Sequence, residues 1–232
     1  MRATPVPAKL SMHARLPVPV RSGPLPEHRA LGLMGGLMRF TRNTEVYGED
    51  EPAEYFYQVI SGAVRTYRML EDGRRQIVAF YLPGDIFGVE AGEGRQSSAE
   101  AISESQVLVV KRSSVLACAE HHKDLAKQLW ALTAQELQRV QQHSLVLIMS
   151  AEERVVGFLF EMASRSSGGM AIELPMSRQD IADYLGLTIE TVSRTFTQLV
   201  QSGVIALETS RRVHFRNRAA LKRLNATIAS PN

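Results

Sequence analysis

The chain has 232 residues, 44% of them hydrophobic and 22% charged, with a net charge of +3 and a single cysteine. That balance belongs to a globular chain long enough for two modest domains, and one thiol excludes an internal disulfide framework and any cysteine-ligated zinc or iron–sulfur site within one chain. No apolar run approaches the ~20 residues of a membrane span, and the N-terminus lacks the apolar segment of a signal peptide, so a cytoplasmic protein with no membrane partner is expected.

Residues 1–29 hold Pro5, Pro7, Pro17, Pro19, Pro24 and Pro26, six of the ten prolines, and read as a flexible tail with polyproline character. Leu31 to Met38 is a short apolar stretch expected as a covering helix, a poor one because of Gly35-Gly36. From Thr44 to Lys111 the pattern is β. Tyr55 to Ile60 is strand-like, Ser61-Gly62 interrupts it, and Ala63 to Leu70 continues in extended form. Asp72-Gly73 is a strong hairpin signal. Gln76 to Leu82 is a further strand, Pro83-Gly84-Asp85 turns, and Val107 to Val110 closes the region. Short strands with turns at roughly ten-residue spacing mean a sandwich, roll or barrel.

Residues 113–150 contain neither Gly nor Pro and read as one helix. Ala126, Trp130, Thr133, Leu137, Val140, Ser144 and Leu147 step by four and three, the seam of a coiled coil. Leu125, Leu129 and Leu132 form a second stripe beside it, free to rest on the β-region. A helix of ~35 residues is about 50 Å long, more than one small domain covers. The seam therefore points to a homodimer packed through Trp130, Leu137, Val140 and Leu147.

Ala151 to Arg165 is a further helix with Val155, Val156, Leu159 and Met162 on its apolar face, and 164–169 is a loop. Met176 to Phe196 then has the form of a helix-turn-helix. Ser177 is placed to cap a first helix through the N–H of Asp180. Ile181, Ala182 and Leu185 give that helix an apolar face, and Gly186 suits its left-handed end. Thr188 caps a second helix and Gly203 ends it. In the second helix Val192, Phe196, Leu199 and Val200 fall on one side, and Glu190, Ser193, Arg194 and Thr197 on the other. The polar side has donors and acceptors of base-reading length in its first two turns, the part of such a helix that enters a DNA major groove. Val204 to Glu208 and Arg211 to Phe215 read as a hairpin wing, and Ala219 to Ala226 as a final short helix. From Glu173 onward eight Lys/Arg face five acids. The whole net charge therefore sits in this part, as a phosphate backbone favours.

The chain resembles regulators of the CRP/FNR superfamily over about residues 30–225. The motifs that carry the resemblance are Tyr57-Gln58-Val59-Ile60-Ser61-Gly62, Asp72-Gly73 and Gly84-Asp85-Ile86-Phe87-Gly88, then Ser177-Arg178-Gln179-Asp180-Ile181-Ala182 and Glu190-Thr191-Val192-Ser193-Arg194. The resemblance implies an α+β chain. Its parts are a tail at 1–29, a jelly-roll, sensor-like β-roll at 30–112, a dimerisation helix at 113–150 and a winged helix-turn-helix at 151–232. Its second DNA-reading motif resembles the FNR and FixK side of the family. Cyclic-AMP-binding members carry an Arg for the cyclic phosphate where this chain has Ser97, which cannot neutralise a phosphate; Arg95 is out of register. Oxygen-sensing members need four cysteines. The implied function is that of a FixK-like dimeric transcription factor, an activator working with RNA polymerase on low-oxygen and nitrogen-metabolism genes, with no cofactor, metal or small effector. Some relatives carry a cysteine near the first cap of the helix-turn-helix, where this chain has Ser177.

The resemblance also gives contacts. Arg194 has the planar donor pair for guanine, Glu190 accepts from cytosine and braces Arg194, and Ser193 adapts to a thymine or adenine edge. Ile189 stands where cyclic-AMP-type members have Arg, and an apolar side chain there favours a thymine methyl, so the half-site is TTGA and not GTGA. Ser177, Arg178, Thr188, Thr191 and Arg211 are phosphate candidates.

Two other readings compete. A cupin-type metalloenzyme needs clustered His and Glu in the barrel, and no histidine lies between Thr44 and Lys111. A ligand- or haem-gated sensor of the same fold would use His121, His122 or His143 on the long helix, although histidines on a helix surface are more often simply solvated. Cys118 reads as a small packed side chain.

Overall fold

A computed structural model describes residues 35–146, 148–165 and 170–217 of the chain. The Pro-rich segment, Leu147, the loop residues 166–169 and the final helix expected at 219–226 lie outside them.

Eight antiparallel strands build the N-terminal part: β1 (Gly36–Phe40), β2 (Glu45–Tyr47), β3 (Tyr55–Ser61), β4 (Val64–Met69), β5 (Arg75–Tyr81), β6 (Ile86–Phe87), β7 (Ser98–Ala101) and β8 (Ser105–Lys111). They form two four-stranded sheets, ordered β1-β8-β3-β6 and β2-β7-β4-β5. Between them lie Phe40, Tyr57, Val59, Val64, Ala79, Phe87 and Val107, the interior of the roll. Strand β3 is apolar on both faces, because Phe56 points away from that interior and packs with Leu108, Val110 and Val115 beneath the helices that follow. This is why 55–60 reads as a continuous apolar run rather than an alternation. The β4–β5 hairpin turns as its Asp-Gly pair predicts. Gly73 takes a φ of 82°, and its N–H donates to the Leu70 carbonyl. The expectation for Leu31–Met38 was wrong in its described part. Residues 36–38 belong to β1 and pair with Val107 to Val109 of β8. Two adjacent glycines weaken a helix but leave an edge strand tolerable, since its hydrogen bonds come from a neighbouring strand.

The single helix expected at 113–150 is two. Helix α1 spans Arg112–His121 and α2 spans Lys123–Val146, with an extended residue, His122 (φ −124°, ψ 95°), at the corner. Each has its own purchase on the roll. Val115 of α1 is buried in the cluster under β3 and β8, and Leu125 and Leu129 of α2 pack against the same cluster. The predicted second stripe therefore rests on the roll. The seam stripe faces away: Trp130 is 78% exposed, and Leu137 and Val140 are also exposed. Cys118 is half-buried on α1, with its sulfur 3.5 Å from the His122 ring, not packed in a core.

Helix α3 (Ala151–Arg165), β9 (Ala171–Glu173), α4 (Arg178–Leu185), α5 (Ile189–Gln201), β10 (Ile205–Leu207) and β11 (Arg212–Phe215) complete the chain. The wing is a three-stranded sheet, β10-β11-β9. The hairpin was expected; β9 was not, being three residues after a loop. The core under these helices does not stop at the winged helix. Val155, Phe158, Leu159, Ile181, Leu185, Val192, Phe196 and Phe215 share one apolar cluster with Ala63, Ile77, Phe80 and Ile102 of the roll. Helix α4 lies directly on β5.

Candidate nucleic-acid interface

Helix α4 begins with a reciprocal cap. The Ser177 hydroxyl accepts from the Asp180 N–H at 3.1 Å, and the Asp180 carboxylate accepts the Ser177 N–H at 2.9 Å. This satisfies two donors that a helix start otherwise leaves bare. Gly186 ends α4 at φ 63°, ψ 40°, and its N–H returns to the Ala182 carbonyl. Leu187 half-buries itself against the core and fixes the turn. Thr188 then caps α5 by accepting from the Thr191 N–H, and the two threonine hydroxyls are 3.0 Å apart.

The two faces of α5 are as the spacing predicts, with one exchange. Val192, Phe196 and Leu199 are buried, but Val200 is 38% exposed, and Thr195 takes the buried place instead, its hydroxyl satisfied by the Thr191 carbonyl. On the outer face Ile189, Glu190, Ser193, Arg194 and Thr197 are all exposed. Among the described residues neither Glu190 nor Arg194 has an ion-pair partner, so the expected brace between them does not form in the chain alone. The Arg194 guanidinium is left free for an external acceptor.

The phosphate candidates divide. Thr188 is exposed and Thr191 half-buried at the N-terminus of α5, their hydroxyls bonded to each other. Arg211 is half-exposed at the wing tip, its side chain without a partner among the described residues, whereas its neighbour Arg212 is paired with Glu208 at 3.2 Å. Ser177 and Arg178 are turned inward. The Ser177 hydroxyl also donates to the Asp180 carboxylate at 2.8 Å. The Arg178 guanidinium lies over the Phe196 ring, 3.2 Å from its centre, where burial lowers its pKa to about 10. There Arg178 braces the recognition helix through a cation–π contact.

The roll offers a second place to look for a ligand: a cavity of about 450 Å³ between β4, β5, the 84–90 turn and α2. Its two guanidinium groups are already engaged, Arg68 with Glu49 at 3.0 Å and Arg139 with Glu136 at 3.1 Å. Of the acids in the lining, Asp85 is paired with Arg165 and Glu90 adds negative charge, while Ser97 brings none. Arg95, which sequence left unplaced, is 2% exposed. It donates to the Gly88 and Tyr55 carbonyls at 2.7 and 2.6 Å and lies over the Tyr47 and Tyr57 rings. Gly88, at φ 74°, is held to glycine by that contact, because a Cβ there would stand 2.8 Å from both Arg95 and Tyr57. His143 is also placed differently from a solvated histidine. It stacks on Tyr184 with ring centres 4.3 Å apart, and burial lowers its pKa.

A roll of the nucleotide-binding type joined to a winged helix with a free recognition face defines a class of transcription regulators. Both halves match families of that class: residues 37–122 match the cyclic nucleotide-binding domain, and residues 153–224 the Crp-like helix-turn-helix domain. The chain is 53% identical over 193 residues to the nitrogen fixation regulation protein FixK of Azorhizobium caulinodans, a match covering 81% of this chain and 78% of that one. It is 44% identical over 181 residues to FixK of Rhizobium meliloti, covering 78% and 82%. The solved structure of FixK2 from Bradyrhizobium japonicum is similar at a TM-score of 0.80 and 48% identity, covering 83% of this chain and 98% of that one. The chain belongs to the CRP/FNR superfamily, in its FixK-like branch. It is a DNA-binding transcription regulator and not an enzyme.

Proposed function

We propose that the protein binds a TTGA-N6-TCAA palindrome as a homodimer, without a small effector, and activates genes of low-oxygen and nitrogen metabolism through RNA polymerase in the cytoplasm. The observation that carries this reading is the outer face of α5. Ile189, Glu190, Ser193 and Arg194 stand together on the first two turns of a capped helix, exposed, and the side chains of Glu190, Ser193 and Arg194 have no partner among the described residues, as suits base readers. Thr188, Thr191 and Arg211 flank that face as the phosphate contacts; Ser177 and Arg178 support them from behind. The second copy packs along α2 on Trp130, Leu137 and Val140, since an apolar stripe on an exposed helix asks for a partner; Leu147, the fourth residue of the expected seam, lies outside the described residues. Independence from an effector is supported by the cavity chemistry. An anionic nucleotide would meet acids and already paired guanidinium groups, while the buried Arg95 serves the roll's own carbonyls.

The test is binding of the purified protein to a TTGA–TCAA and a GTGA–TCAC duplex at one fixed salt concentration, with and without cyclic AMP. Tight binding to the first alone, indifferent to the nucleotide, is expected, and Ile189→Arg should move the preference toward GTGA. Binding that appears only on adding a nucleotide would overturn the effector-free reading.

A further inference from the structure

We propose that Arg65 and Arg75, far in sequence from the helix-turn-helix, are positioning residues for DNA recognition: they clamp α4 to the roll and so set the direction in which α5 is presented. The cluster is explicit. One Arg65 nitrogen donates to Asp180 at 2.6 Å and the other to Glu100 at 2.9 Å. Arg75 donates to the same Asp180 oxygen at 2.7 Å and to Asp183 at 2.7 and 2.9 Å. The remaining Asp180 oxygen takes the Ser177 N–H and hydroxyl. One carboxylate thus serves two purposes, capping the first helix of the DNA reader and receiving two cations from the roll. Arg65 is 7% exposed and Asp180 4%, so DNA reaches neither directly. Further contacts close the seam: the Gln76 amide donates to the Tyr184 carbonyl, the Phe80 ring packs on Tyr184 with centres 5.2 Å apart, and Arg165 of α3 donates to the Phe80 carbonyl at 2.9 Å and to Asp85.

Why this matters for recognition follows from symmetry, and here the inference rests on the homodimer reading. Two recognition helices must enter successive major grooves about one helical turn apart. Each α5 therefore needs a fixed direction relative to the dimerising α2, which itself rests on the roll. Apolar contact through Ile77 and Phe80 is non-directional and tolerates sliding; charge-assisted hydrogen bonds to fixed oxygens do not. If the clamp opens, the competent arrangement becomes a minor state, and apparent affinity falls by the fraction lost.

The partly exposed Arg75–Asp183 pair lends itself to the test. Arg75→Asp, Asp183→Arg and the charge-exchanged double variant are compared with wild type on the full palindrome and on a duplex with one half-site. Arg75→Asp should weaken palindrome binding by about tenfold, as expected if the competent fraction drops to about a tenth. Half-site binding should stay near the wild-type value, and the double variant should recover most of the loss. A parallel fall on both duplexes would make Arg75 a folding residue or a DNA contact, and no fall on either would make it a bystander; each overturns the proposal. Calorimetry without DNA is the independent arm. Roll and winged helix should unfold together in wild type, separate in Arg75→Asp, and rejoin in the double variant, and a single transition throughout would also overturn the proposal. A wild type that does not prefer the palindrome would defeat the homodimer reading instead, and the calorimetry would still decide whether Arg75 holds the two parts together.

Discussion

Arg194 and Arg178 are both arginines of the DNA reader, and the chain uses them in opposite ways. Arg194 projects from α5 with no partner among the described residues, so no contact with any of them must be broken for it to bind a base. Arg178 is spent on the Phe196 ring. Arg194→Ala is therefore expected to cost about 1–3 kcal/mol on the specific site and to relax the guanine preference, with little change on random DNA; equal losses on both in a titration would remove it from base reading. Asp180 is the residue whose loss the fold should feel most. Asp180→Ala leaves Arg65 buried with one acidic partner in place of two, and breaking a buried ion pair of this kind costs about 3–5 kcal/mol. Urea unfolding should register that loss, whereas Asp72→Ala, at an exposed pair with Arg74, should leave the unfolding midpoint almost unchanged.

At the scale of elements, α2 carries an apolar face, Trp130, Leu137 and Val140, that none of the described residues covers. Leu137→Asp with Val140→Asp should place charges in the seam and convert a dimer to a monomer in sedimentation, with loss of palindrome binding; an unchanged mass would move the dimer interface elsewhere. The other face of α2 carries His143 against Tyr184. Burial holds its imidazole below the ordinary value, and Glu161 opposes that only in part. The unfolded chain therefore takes up this proton first, near the ordinary value of about 6.5. Stability should fall as pH drops through that value toward the folded pKa, and His143→Gln should flatten the fall.

These elements also show what a sequence carries. The caps at Ser177 and Thr188, the left-handed Gly186 and the polar face of α5 are local, written within four residues of where they act, and all were legible. The corner at His122 was not, because no Gly or Pro marks it; the break comes from two helices each finding the same apolar cluster on the roll. The clamp was invisible for the same reason. Arg65 and Asp180 are 115 positions apart, and nothing in either neighbourhood announces the other. Arg95 could be called out of register for a phosphate, but only the fold shows what it serves.

For the whole molecule, the proposed two-fold symmetry would double the consequence of every DNA contact, and Arg211 makes that measurable. In the proposed complex its guanidinium at the wing tip neutralises one phosphate in each half-site. Each neutralised phosphate releases a condensed counterion, and the slope of log affinity against log salt changes by about 0.9 per phosphate on duplex DNA. Arg211→Ala in a dimer should therefore flatten that slope by about two units and weaken specific and random duplexes by similar factors, since a backbone contact positions without specifying. Arg212→Ala, already tied to Glu208, should change the slope much less. A slope unchanged in Arg211→Ala would take the wing tip off the backbone. A change of about one unit would mean that a single subunit engages the DNA at a time, a result the paired half-sites of the proposed palindrome do not allow.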